Sequence, residues 1–351
     1  MRLWAIVENG KPLQCLEVET PKPQGSEVVV EVTHCGVCHS DLHFWKGTYD
    51  LGGGQILKIT DRGVELPRAP GHEVLGKVVA VGPDAKGVSV GDKRIVYPWI
   101  GCGECERCKA GEDNLCDKQK SIGVVRHGGF SSHVVVPHPL YLFDYGDLDP
   151  AVATTFSCSA ITVYSAIKKM QPLNPDKPVV LIGAGGLGLA AIAMLKALDH
   201  HKIISVDIDP AKREAALAAG ATGVVDGAGE GVAARIVEAA GGQVQGAIDF
   251  VNNGKTTATG LECLARNGRL ILVGVAGGEM MLSVAGMIFR PRAIIGSGTG
   301  SRQELGDVLE LAKAGKLEPL PIVRMPKDSA NEALMKLKSG DVVGRLVLEG
   351  A

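Results

Sequence analysis

Val179-Val180-Leu181-Ile182-Gly183-Ala184-Gly185-Gly186-Leu187-Gly188 decides how this chain folds. The four apolar residues are too short a run for a helix and read as a buried strand. The next six match G-x-G-x-x-G at the exit of that strand, and 186–198 continue as an amphipathic helix. In that setting Gly183 allows the tight turn, Gly185 lets a pyrophosphate approach the backbone, and Gly188 lets helix and strand pack closely. Gly186 and Leu187 open the helix, whose free amides and positive partial charge suit a phosphate.

The pattern repeats downstream. Residues 202–207, 223–225, 246–250, 269–273 and 293–297 read as strands, and 210–219, 230–240 and 255–264 as the helices between them. Such alternation predicts a parallel sheet covered on both faces. Asp207 closes the second strand at about the distance expected of a carboxylate on the adenosine ribose, and it would repel a 2′-phosphate, so NAD is expected rather than NADP. Asp209, a rival for that role, falls beyond the strand end.

Upstream, from residue 1 to about 156, the text changes to short strands and turns. Runs at 27–32, 74–81, 94–97 and 132–136 are separated by Gly, Pro and Asp, which favours a barrel-like or sandwich domain. The tail from 303 holds two helical stretches, 303–314 and 329–339, and a last strand at 344–348.

Bulk properties narrow the function. With 351 residues, 45% hydrophobic and 22% charged, the chain has the length for two cores and an ordinary globular composition. A net charge of −2, scattered Lys and Arg, and 4% aromatics argue against a nucleic-acid surface. The N-terminal stretch is too short and polar for a signal peptide, and glycines and Lys196 interrupt the uncharged run 178–195, so a cytoplasmic location is expected. Nine cysteines, four of them clustered, suggest metal rather than disulfides.

Cys102-x2-Cys105-x2-Cys108-x7-Cys116 supplies four thiolates from one glycine-punctuated lobe, enough to close a tetrahedral structural zinc site. Glu104, Glu106 and Lys109 between them read as solvated charges. A catalytic ion keeps one position open. Cys38 and His72 are candidate ligands, with Glu73 beside the histidine and Cys158 further along. Two thiolates and a neutral imidazole leave zinc formally neutral, and zinc lowers the pKa of a bound oxygen acid from about 16 towards about 7.

Cys38-His39-Ser40-Asp41-Leu42-His43, Gly71-His72-Glu73, the cysteine lobe, Cys158-Ser159-Ala160-Ile161-Thr162 and the glycine turn resemble, in order and spacing, the zinc-dependent alcohol dehydrogenases of the medium-chain dehydrogenase/reductase superfamily. The resemblance covers essentially the whole chain. It implies an α/β protein: a GroES-like β-rich catalytic domain (1–157 and 299–351, with the structural zinc lobe at about 101–117) and a Rossmann doubly wound parallel-sheet domain (158–298). It also implies two zinc ions, the catalytic one on Cys38, His72 and Cys158 with Glu73 as an occasional ligand. Asp41 is then expected to hold the His72 ring, and Ser40 to take the alcohol proton and pass it through the cofactor ribose to His43. His39 and Arg345 are expected at the pyrophosphate, Thr162 against the nicotinamide, Val273 and Val275 near its carboxamide, and Lys212 beside Asp207 at the ribose.

The expected activity is NAD-dependent interconversion of an alcohol and its aldehyde or ketone by a homodimer or homotetramer. Trp45 and Trp99 lie near the ligand motifs and suggest an apolar pocket for a primary aliphatic or aromatic alcohol. A polyol or amino-alcohol dehydrogenase is the neighbouring alternative, against which Cys158 argues because polyol enzymes tend to place an acid there. A non-catalytic redox sensor keeping only the structural zinc is the alternative of another class. The segment 49–67 is longer than the link expected between its two flanking motifs, and a flap, a subunit contact and a plain loop all remain open for it.

Overall fold

A computed structural model describes residues 1–350. Strand Val179–Ile182, buried along its whole length, is the axis of a six-stranded sheet. The spatial order is Gly223–Asp226, Ile203–Asp207, Val179–Ile182, Val244–Asp249, Leu264–Leu272 and Arg292–Gly296, every pairing parallel. Both faces are covered. Val179 and Leu181 pack in one core with Leu189, Ile192 and Ile161, while Val180 and Ile182 pack in a second with Ile236 and Leu261. This alternation is why the strands read as unbroken apolar runs. The chain reverses its direction of growth beside Val179–Ile182, which opens a ligand crevice at the strand ends.

The other sheet is mostly antiparallel and has seven strands. Val28–Val37 is its hub, flanked by Glu73–Val81 and by Arg345–Glu349, with His133–Val136 on its first half. Lys93–Val96 and Leu142–Phe143 extend it on one side, Ile322–Pro326 on the other. The hub runs five residues past the expected 27–32. An irregularity between Val32 and His34 interrupts the apolar alternation there and hides its continuation in the sequence. Leu346 pairs with Val37 and Leu348 with Cys35, so the tail completes the sheet begun near the N-terminus.

Segment 49–67 is not a plain solvent loop. Thr48–Asp50 and Ile56–Lys58 form a hairpin, a short turn Ile59–Arg62 follows, and Ile59 and Val64 enter the core. Asp113 ties the cysteine lobe to the crossing between domains. It accepts from Arg302 Nε at 2.6 Å and from Tyr141 Oη at 3.1 Å, while Asn114 donates to the Thr299 carbonyl and Tyr97 to that of Gly300. Among the described residues no single helix is long and apolar enough to cross a membrane.

Gly188 faces the strand so closely that a Cβ would stand 2.0 Å from the Gly183 carbonyl oxygen. Gly188→Ala is therefore expected to push the helix off the sheet and cost about 1–3 kcal/mol. Gly306→Ala, on helix Arg302–Lys313 with nothing within 4 Å, should instead stabilise by up to about 1 kcal/mol. Denaturant unfolding of the two variants checks the contrast.

Candidate active site and metal centres

The sequence-expected ligands all stand at element ends. Cys38 follows the hub strand and caps helix His39–Lys46, His72 precedes strand Glu73–Val81, and Cys158 caps helix Ser159–Met170. Cys38, His72, Glu73 and Cys158 each turn one ligand atom inward, all four within 4.8 Å of one another and all buried. His72 Nε2 lies 3.2 Å from Cys158 Sγ. A tetrahedral zinc holds sulfur and nitrogen about 3.5 Å apart, so the spacing suits that ion.

Asp41 orders this corner. Its carboxylate accepts the amides of Cys38 at 2.9 Å and Gly71 at 3.0 Å, fixing the backbone beside two of the donors. One oxygen is also 3.4 Å from His72 Nδ1, near enough for attraction but not aligned as a hydrogen bond. A thiol hydrogen bond from Cys158 holds the Cys38 thiol well below the usual range. Burial pushes the Glu73 carboxyl up to about 7 despite its ion pair with Arg345. Its second oxygen is buried without a partner, the state of a group aimed at a cation site.

The second cluster gathers Cys102, Cys105, Cys108 and Cys116, again within 4.8 Å. Cys108 Sγ stands 3.9 Å from Cys102 Sγ and 3.5 Å from Cys105 Sγ, against an edge of about 3.8 Å for four thiolates around zinc. Cys116 Sγ accepts the amides of Cys102 and Lys118, which fix its side chain within the cluster.

At the sheet's switch point His39, Gly185, Gly186, Lys212 and Arg345 line one crevice. Gly185 has open space where a Cβ would stand. Asp207, at the strand end, accepts the Ala184 amide at 2.7 Å, and Asp209 is occupied instead as the N-cap of helix Pro210–Ala218. Thr162 is buried with its hydroxyl unpartnered. The Val273 amide donates to the Asp249 carbonyl, and Val275 is exposed.

Ser40 and His43 sit one turn apart on helix His39–Lys46. Burial lowers the His43 pKa. Trp99 stands 5.3 Å from the His72 ring and donates to the Ser157 carbonyl, so it borders the cluster. Trp45 does not. Its ring lies under the Lys338 ammonium and donates to the Lys11 carbonyl, at the junction with helix Ala330–Ser339. Sequence proximity alone had suggested it for the pocket. Two residues carry more than their motifs announced, Tyr49 against His43 and Asp113 at the domain crossing. The Asp113 position inside the cysteine lobe was its one available signal.

Known proteins share this architecture. The alcohol dehydrogenase GroES-like domain family matches residues 24–143, and the zinc-binding dehydrogenase family matches 186–314. An NAD-dependent alcohol dehydrogenase of Sulfurisphaera tokodaii is 36% identical over 99% of each chain. A D-arabinose 1-dehydrogenase (NADP(+)) of Saccharolobus solfataricus is 33% identical over 96% of this chain and 94% of its own. The crystal structure of the alcohol dehydrogenase from Aeropyrum pernix superposes with a TM-score of 0.88 and 30% identity, covering 100% of both chains.

Asp41→Ala strands two buried amides and is expected to cost about 2–5 kcal/mol. Asp41→Asn, which keeps one carbonyl acceptor, should lose roughly half as much, as equilibrium unfolding of the two variants will register.

Proposed function

The chain belongs to the zinc-dependent alcohol dehydrogenases of the medium-chain dehydrogenase/reductase superfamily, and on that footing we propose how its residues divide the work. It is an oxidoreductase that transfers hydride between an alcohol and NAD, interconverting alcohol and aldehyde or ketone. The observation that carries the reading is the convergence of Cys38, His72, Glu73 and Cys158 beside the nucleotide crevice.

Cys38, His72 and Cys158 would hold a catalytic zinc ion, with Glu73 behind them, and the four lobe cysteines would hold a structural one. When bound, that ion would supply Lewis-acid chemistry, lowering the pKa of an alcohol from about 16 towards about 7. Ser40 takes the alcohol proton as its own hydroxyl proton passes by way of the cofactor ribose to His43, whose imidazole, kept neutral by burial, accepts it and releases it to solvent. Lys212 and Asp207 bind the adenosine ribose, and Asp207 selects NAD. Cationic Arg345 and the His39 ring meet the pyrophosphate above the bare Gly185. Thr162 packs on the nicotinamide, and the Val273 carbonyl with the backbone of Val275 meets its carboxamide. Trp99 gives the pocket an apolar wall, which favours a primary aliphatic or aromatic alcohol.

The D-arabinose-oxidising relative favours a second substrate reading, a sugar or polyol. A panel of alcohols, aldehydes and sugars followed by NADH absorbance separates the two. We expect turnover of simple alcohols with NAD at least about tenfold better than with NADP. About two zincs per chain should be found, and chelation should abolish activity. Turnover of sugars alone would reject the pocket assignment, and one zinc with no turnover would point to the redox sensor.

We also propose a homo-oligomer acting in the cytoplasm on a small-molecule substrate, without nucleic-acid or membrane partners. Strand Arg292–Gly296 is a sheet edge, and the helix beside it, Val284–Phe289, leaves Val284, Ile288 and Phe289 each more than 70% exposed. A second copy would pair that edge and cover those side chains. Light scattering should return a dimer or tetramer, and Ile288→Asp should shift it towards monomer. Fractionation that put the protein in a membrane or secreted pool would overturn the location.

A further inference from the structure

Helix His39–Lys46 ends at Gly47, whose left-handed φ of 86° turns the chain into the hairpin Thr48–Asp50 with Ile56–Lys58. Tyr49, opposite Leu57 in that hairpin, lays its ring against the His43 imidazole. Their centroids are 5.0 Å apart and their planes 19° from parallel. A second aromatic, Phe44, meets Tyr49 edge-on at 6.3 Å and is itself buried, which braces the tyrosine from the helix side.

The hairpin tip reaches the other domain. A Cβ at Gly52 would stand 2.9 Å from the Gly278 carbonyl oxygen, and one at Gly277 would stand 2.6 Å from that of Asp50. The two backbones therefore touch, and Gly277 is bridged in turn to Asn253 of the parallel-sheet domain. Nothing else among the described residues stacks on His43. Without a neighbour, a half-exposed imidazole on a short helix samples several rotamers.

We infer that Tyr49 is the positioning residue for His43, holding its imidazole where the alcohol proton leaves, and that hairpin 48–58 links this placement to the apposition of the two domains. The inference rests on the proposed role of His43. The charged groups around the pair are His39, Lys46 and Cys38 for the imidazole, and Arg62, Cys38 and Asp41 for the phenol. Burial pushes the Tyr49 hydroxyl up to about 12, so the ring stays neutral where the enzyme would work and acts by contact rather than by charge.

The test is a double-mutant cycle on the zinc-loaded enzyme, with kcat read across pH. Tyr49→Leu fills much of the ring volume without stacking; Tyr49→Met replaces it if the leucine variant fails to fold. We expect kcat to fall about five- to twentyfold, with KM for NAD moving less than about twofold. The acid limb of the profile should shift upward as the imidazole gains solvent. Tyr49→Phe, which keeps the ring, should recover most of the loss. Once His43→Gln is present, Tyr49→Leu should cost nothing more, because the group it positions is gone. If the two losses multiply instead, or Tyr49→Leu leaves kcat untouched while His43→Gln lowers it, the inference is overturned and the His43 role stands. If His43→Gln leaves kcat and its pH profile intact, the role falls and the inference with it.

Discussion

Two thiols, an imidazole and a carboxylate stand buried within 4.8 Å of one another, and that crowding governs the rest of the molecule. Anionic donors in a low-dielectric interior are unfavourable unless positive charge stands among them. Arg345 answers part of this through its ion pair with Glu73, and a divalent ion would answer the remainder. Assembling the cluster requires three distant segments to end at one point. The fold achieves this with terminations: a strand stops at Val37, another starts at Glu73, and a helix starts at Ser159. Element ends leave amides and side chains free to turn inward, so the site is built where regular structure stops.

Much of this was legible in the residues. The strand–turn–helix around Gly183 fixed the parallel sheet because glycine spacing there answers a steric need that the structure displays, the near-contact of Gly188 with Gly183. The cysteine lobe was readable because all four donors fall within a short stretch. The hub strand was read short, since alternation fails between Val32 and His34 where the pairing is irregular. Trp45 was misjudged because closeness in sequence says nothing of the side of a helix from which a ring leaves. Tyr49 was invisible for the complementary reason. Its partner His43 is six positions earlier on a different element, and no periodicity connects a helix to the hairpin after it.

Besides the buried apolar cluster that runs through both sheets, small and specific contacts fasten the two domains. Asp113 and Asn114 fasten the cysteine lobe to Thr299 and Arg302, where the chain leaves the parallel sheet. On another side, Asp50 and Gly52 meet Gly277 and Gly278 backbone to backbone. Between such fastenings lies the crevice with Lys212 on one wall and His39 and Arg345 on the other. A ligand bridging those walls would favour the arrangement of the domains that keeps both sets of side chains within its reach.

The late strand Arg345–Glu349 lies inside its sheet, between Ile322–Pro326 and Val28–Val37, instead of at the rim. During vectorial synthesis the 34–37 stretch of the hub strand must therefore wait, its edge unpaired, until residues 345–349 have left the ribosome. The parallel-sheet half, contiguous in the chain, acquires all its partners earlier and matures first. The ion pair of Arg345 with Glu73 and the pairing of residues 34–37 are thus completed late in translation, after the contiguous parallel sheet has all its strands.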